Sequence, residues 1–219
     1  MARTRAQDYD AKRQAILHRA AELFAQYGYS GTSITMIAEA CGVSKALLYH
    51  YYPDKVAVLF DILFDHLNEL VAVVEDTALA ARDPQERLYA LSAALLEAYR
   101  DADAQHQVQI ASLKFLSDDR QETLRALERR LVAIFAEAIA ESVPEVGHGP
   151  LLKPLTMSLF GMLNWHYLWF REGKGLSRQQ YALMASQLIT AGAAAAAEAV
   201  APGTPKTLRP QAVSGKRGA

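Results

Sequence analysis

Cysteine is almost missing from this chain. Cys41 stands alone among 219 residues, so no disulfide can close within the chain, and a single thiol makes no zinc site. A reducing compartment, the cytoplasm, is therefore expected. Glycine (12) and proline (8) are also few. They gather at the ends of periodic segments and in the last stretch of the chain, which excludes collagen-like and low-complexity classes. No uninterrupted apolar run reaches 18 residues, and Met1 leads straight into Arg3 and Arg5 with no signal-peptide pattern. Membrane insertion and secretion are not expected. Charge of one sign is missing too: the net charge is −1. Only the front end leans basic, with seven Lys/Arg against five Asp/Glu over residues 1–55, which permits nucleic-acid binding without proving it.

Enzymatic signatures are likewise absent. There is no glycine-rich phosphate loop and no nucleophile elbow, and the six histidines show no His-x-x-His and no paired Glu-x-x-His of the di-iron type. Asp61, Asp65 and Glu69 form an acidic stripe at i, i+4, i+8 with His66 beside it, but His66 points off the stripe. A solvated helix face explains these carboxylates better than a metal site. A helical enzyme stays the competing class, and stoichiometric metal in the purified protein would favour it. No cofactor or metal is expected.

What is present is helical periodicity from end to end. Ile16, Leu17, Ala20, Leu23, Phe24 and Tyr27 make one face of a helix that Gly28 ends. Thr32 and Ser33 are cap-type residues before a short helix to Cys41. Ser44 caps a second short helix that stops before Pro53, and Asp54 caps a long one to about Thr77. Asp83-Pro84 opens the next. Helical stretches follow around 104–116, 119–142, 151–172 and 177–200, and no segment reads as a strand. The fold class is all-α. Residues 201–219 hold three prolines, three glycines and four basic residues without an acid, and are expected to be a disordered basic tail.

The informative stretch is 33–55, S-I-T-M-I-A-E-A-C-G-V-S-K-A-L-L-Y-H-Y-Y-P-D-K. Ala38 is small enough for two helices to approach, and Gly42, four positions on, tolerates the positive φ of a sharp corner. Ile37, Cys41, Val43 and Leu48 fall where a joint needs filling. This is the pattern of a helix-turn-helix whose second helix enters the major groove of DNA; an ordinary helical hairpin with a glycine turn is the rival reading. Lys45, Tyr49, His50 and Tyr51 lie outward on the second helix and suit phosphate oxygens. Core packing competes for part of Tyr51, and His50 could be an ordinary surface histidine. Thr32 and Ser33 could be caps only, or present backbone N–H groups to a phosphate.

From Arg13 to Phe60, with A-A-E-L-F-A-Q-Y-G-Y-S-G-T-S-I, G-V-S-K and L-L-Y-H-Y-Y-P-D-K, the chain closely resembles the N-terminal domain of TetR/AcrR-family regulators. The resemblance implies a three-helix DNA-binding domain (1–55), a ligand-binding and dimerisation domain (56–200), and a repressor acting as a homodimer on a palindromic double-stranded operator. It places DNA contacts on Thr32, Ser33, Ser44, Lys45, Tyr49, His50, Tyr51 and Lys55. The match departs at Ala46-Leu47, where the family more often has a small, polar pair; Leu47 can meet only a thymine methyl. An effector-independent DNA-binding protein is the remaining alternative.

Further on, M-S-L-F-G-M-L-N-W-H-Y-L-W-F-R followed by G-L-S resembles the subgroup that senses acyl-CoA or aryl-CoA thioesters such as phenylacetyl-CoA. The helix carrying it is apolar nearly all round, so it needs covering on every side, by its own domain and by a partner subunit. The alanines at 191 and 193–197 would allow close approach there. Tyr89, Tyr99, Phe115, Met157, Phe160, Asn164 and Tyr167 are the candidates for a mainly apolar effector pocket. Arg100, Lys114 and Arg120 could stand at its mouth for a nucleotide-bearing ligand.

Overall fold

The computed structural model describes residues 2–81 and 83–201. From residue 202 the expected tail lies outside the described residues. The chain runs α1 (Ala2–Gly31), α2 (Ile34–Ala40), α3 (Lys45–Tyr51), α4 (Lys55–Ala80), α5 (Pro84–Ala98), α6 (Asp103–Ser112), α7 (Asp118–Ser142), α8 (Leu152–Asn164), α9 (His166–Trp169) and α10 (Arg178–Val200). Among the described residues there is no strand, only one isolated bridge, Arg171 with Lys174.

The cap residues act where their chemistry puts them. Ser33 Oγ accepts from Met36 N, Ser44 Oγ from Leu47 N and Asp54 Oδ1 from Ala57 N, at 3.1, 3.1 and 2.7 Å. Each satisfies an N–H that has no helical partner. Ser177 and Gln180 close a reciprocal capping box on α10. Gly28 breaks α1 at φ 73°.

One apolar core runs from α1 through α4 to α10. The spine is α4, whose buried side reads Val58, Leu59, Ile62, Leu63, Leu67, Leu70, Val71 and Val74, with His66 set among them. α5 and α7 pack along it, α10 lies on α5 and α8, and α6 lies against α1. Arg13 on α1 grips Asp61 and Asp65 on α4 at 2.9 and 3.0 Å. Two carboxylates of the acidic stripe, Asp61 and Asp65, thus anchor α1, whereas Glu69 is exposed.

The segment expected as one helix over 151–172 is broken. α8 ends at Asn164, a single turn (α9) follows, and Phe170 turns out into extended backbone. Gly173 and Gly175, at φ 74° and 81°, bring the chain back to α10. Here the aromatic side chains decide. His166 is enclosed by the rings of Phe170 and Tyr181 at 4.1 and 5.2 Å, a cluster that a straight helix could not gather.

Candidate nucleic-acid interface and effector cavity

The corner between α2 and α3 is built as the spacing requires. Gly42 sits at φ 65°, Val43 N bonds the Ala38 carbonyl at 3.0 Å, and Ile37, Ala38 and Leu48 are buried in the joint. With Leu48 and Tyr52 anchored inward, α3 turns Lys45, Ala46, Leu47, Tyr49 and His50 outward. Lys45 Nζ lies 5.9 Å from the Tyr49 ring. Ser33 and Ser44 are exposed at the first turns of α2 and α3.

Three of the expected contact residues are engaged inside the protein. Thr32 is 2% exposed, and its hydroxyl is directed to the carbonyls of Leu23 and Gly28 at 3.1 and 2.9 Å, so it secures the break at Gly28 instead of facing a phosphate. Lys55 Nζ donates to the Tyr29 and Thr32 carbonyls, both at 2.7 Å, and lies 4.2 Å over the Tyr29 ring. It ties the start of α4 to the end of α1, and burial lowers its pKa. Tyr51 is half-buried and stacked on Tyr9 at 4.6 Å. The outward set is Ser33, Ser44, Lys45, Tyr49 and His50.

Behind α4 lies a cavity of about 250 Å³ between α4, α6, α7, α8 and Tyr99, just past the end of α5. It gathers four of the seven expected pocket residues: Tyr99, Met157, Phe160 and Asn164. Leu67, Leu70, Leu131 and Val132 supply the rest of its apolar wall. The other three lie elsewhere. Tyr89 borders a recess between the end of α7 and α10. Phe115 stacks on Tyr29 at 4.5 Å and, with Tyr167, borders a recess between α1 and α6. Tyr167 still meets the cavity's back wall, edge-on to His106 at 5.3 Å. No Lys or Arg lines the cavity. Arg100 pairs with Glu97 at 2.7 Å, Lys114 lies by the Phe115 ring at 5.3 Å and Arg120 by the Phe60 ring at 5.1 Å.

On the polar side of this cavity Tyr99 and Asn164 were expected, whereas Gln109 and Glu128 were missed in the sequence. Tyr99 donates to Asn164 Oδ1 at 3.0 Å, His106 Nε2 meets the Asn164 carbonyl at 3.0 Å, and Gln109 donates to Glu128 at 2.9 Å. The rings of His66, Tyr99 and His106 form a triangle with centroids 4.7 to 6.5 Å apart. Burial and the neighbouring His106 push His66 down to about 4, and burial likewise lowers His106, so both rings are neutral. Gln109, which lines the cavity, has a buried Oε1 with no partner among the described residues. His106 Nδ1, beside Tyr99, is likewise unpartnered there, as are His66 Nε2 and Gln105 Oε1, whose residues line a separate recess against α1. Each costs about 1–3 kcal/mol if left dry. The i, i+3 spacing of His106 and Gln109 was visible; that it faces Asn164 and Glu128 was not.

These features recur in known proteins. The description of bacterial regulatory proteins of the tetR family matches residues 16–62, and that of the tetracyclin repressor-like C-terminal domain matches residues 81–193, half of the chain by itself. The chain belongs to the TetR family. TetR-family regulators are not enzymes, and this chain is accordingly a DNA-binding transcriptional regulator. A TetR-family regulator from Bordetella parapertussis 12822 is 35% identical and superposes with a TM-score of 0.76 over 81% of this chain and 93% of that one. The transcriptional repressor KstR2 of Mycolicibacterium smegmatis is 27% identical over 176 residues, 78% of this chain and 84% of KstR2. AibR, solved in complex with isovaleryl coenzyme A and operator DNA, is 26% identical with a TM-score of 0.68 over 81% of this chain and 97% of its own.

α10 is the described helix long and apolar enough to cross a membrane by length and composition. In this TetR-family chain one side of α10 packs on α5 and α8. The other side exposes Leu183 (43%), Met184 (38%) and Leu188 (57%), and Leu176 lies exposed just ahead of the helix. On α9 and the turn before it, Trp165, Leu168 and Trp169 are exposed as well.

Proposed function

We propose that this protein is a cytoplasmic repressor that binds a palindromic operator as a homodimer and releases it when a small, mainly apolar effector fills the cavity behind α4. The division into a DNA-binding unit (1–55) and an effector and dimerisation unit (56–200) belongs to the same reading. What carries it is the pairing of an outward α3 face with a partly open cavity, apolar on one side and polar on the other, against the same core. Apolar exposure of the kind on α10 marks an interface, and a two-fold copy of the same helix is the cover that closes a dimer.

The route from cavity to DNA runs along α6 as well as α4. His106 near the start of α6 packs on Tyr99, which lines the cavity, Phe115 just past its end stacks on Tyr29, and the Tyr29 carbonyl receives Lys55. A ligand that shifts α6 would reach the joint of α1 and α4 through these contacts. It acts only through its difference in affinity for the two arrangements.

A second reading of the effector, an acyl-CoA or aryl-CoA thioester such as phenylacetyl-CoA, is favoured by the resemblance of residues 157–171 and by AibR's bound isovaleryl coenzyme A. The cavity volume suits an acyl group, whereas the coenzyme's phosphates would need cations from outside its wall.

The test is operator binding against salt. With Lys45 on a phosphate, Lys45→Ala lowers affinity for operator and random duplex alike and flattens the plot of log K against log salt by about one unit. An unchanged slope with unchanged affinity would refute the assignment of α3 as the DNA-facing helix.

A further inference from the structure

The cavity behind α4 is lined by a residue with an unpartnered hydrogen-bond acceptor, Gln109, and a second such acceptor, on His106, lies behind the lining residue Tyr99. His106 is 4% exposed on α6, with Nε2 on the Asn164 carbonyl. A carbonyl only accepts, so Nε2 carries the ring proton and Nδ1 is a bare acceptor. No described residue reaches it. Gln109 gives its Nε2 hydrogen to the Glu128 carboxylate, which also only accepts, so the amide cannot be turned round. Its buried Oε1 is a second acceptor without a partner.

The two residues are three apart and share a side of α6. Gln109 and Glu128 line the cavity, and His106 packs at 4.7 Å on the ring of Tyr99, which lines it too. The hydroxyl hydrogen of Tyr99 is already spent on Asn164, which leaves the Asn164 amide nitrogen as the wall's opposing donor. No cation lines the site, and Glu128 adds negative charge.

We propose that the effector carries a hydrogen-bond donor, a hydroxyl or an amine, on a small apolar body. The donor seats on Gln109 Oε1, and the body lies among Leu67, Leu131, Met157 and Phe160. This rests on reading the cavity as the effector site. A carboxylate end would meet acceptors and a carboxylate there.

Four probes sharing one skeleton test it on the full-length protein: 2-phenylethanol, 2-phenylethylamine, phenylacetate and phenylacetyl-CoA. Calorimetry reads binding, and operator affinity is measured in parallel. The alcohol or the amine should bind at least about tenfold more tightly than phenylacetate. Gln109→Met, close in shape but without the acceptor, should abolish that preference while leaving ethylbenzene binding within about twofold. If the variant does not fold, the wild-type ranking decides. Phenylacetate or phenylacetyl-CoA binding as tightly as the alcohol and the amine overturns the proposal, as does binding by none of the four, or a preference that survives in Gln109→Met. If phenylacetyl-CoA releases operator and the donors do not, the donor proposal fails and the effector site stands. If the donors bind through Gln109 but operator affinity never moves, the effector reading fails instead.

Discussion

A histidine turned into the core is a charge withheld. His66 lies on the inner side of α4, and burial together with His106 holds its pKa near 4, against about 6.5 in an unfolded chain. The unfolded state therefore binds more protons than the folded one between these values. His66 contributes its full stability above pH 6.5, and the contribution is lost as pH falls through the window to about 4. A shift of this size corresponds to about 3 kcal/mol. Urea unfolding from pH 7.5 to 4.5, at fixed protein concentration, should show stability falling with pH, and His66→Asn should make the fall shallower by about one proton. Parallel wild-type and variant curves would show that His66 is already charged in the fold. His106 shifts in the same direction, so part of the slope persists in the variant.

At the scale of the element, α6 is short and its N-terminus has no side-chain cap, yet it touches the cavity wall through His106 and Gln109 and, through the turn that follows it, touches α1. Phe115 is 37% exposed, so removing its ring costs little core. Its stacking on Tyr29 is instead a contact between the two functional halves. Phe115→Ala should leave operator affinity without effector nearly unchanged and reduce the effector-induced loss of operator affinity by roughly two- to thirtyfold, the range expected for residues on a coupling route. A coupling equal to wild type would place the transmission on α4 alone. The elements themselves were largely legible in the sequence, because Ser33, Ser44, Asp54 and Ser177 announce helix starts and Gly28 and Gly42 announce stops. The break after Asn164 was not legible, since an unbroken apolar stretch gives no local sign of where it folds back on itself.

For the whole molecule the open question is what covers α10. Leu183, Met184, Leu188 and Ala195 are exposed along one side, whereas Ala193, expected at the interface, is buried within its own subunit. A charge on the exposed side would be stranded in an apolar contact between copies, at a cost of several kcal/mol. Ala195→Glu should give folded monomers by sedimentation and weaken operator binding at least tenfold, because one α3 then reads one half-site. Wild-type protein sedimenting as a monomer at micromolar concentration would rule out α10 as the dimer face.

By itself the sequence determined the helical class, the helix-turn-helix and the outward residues Lys45, Tyr49 and His50, because caps, turns and face periodicity act within a few residues of one another. Only the tertiary structure decided which donors are spent. Lys55 looks like a phosphate ligand until the carbonyls of Tyr29 and Thr32, at and just past the end of α1, are seen to take it. Gln109 looks like surface until Glu128, on another helix, takes its amide and leaves its oxygen facing inward. A hydrogen bond depends on which atoms meet, and residues 19 to 26 positions apart along the chain meet only after the helices have packed.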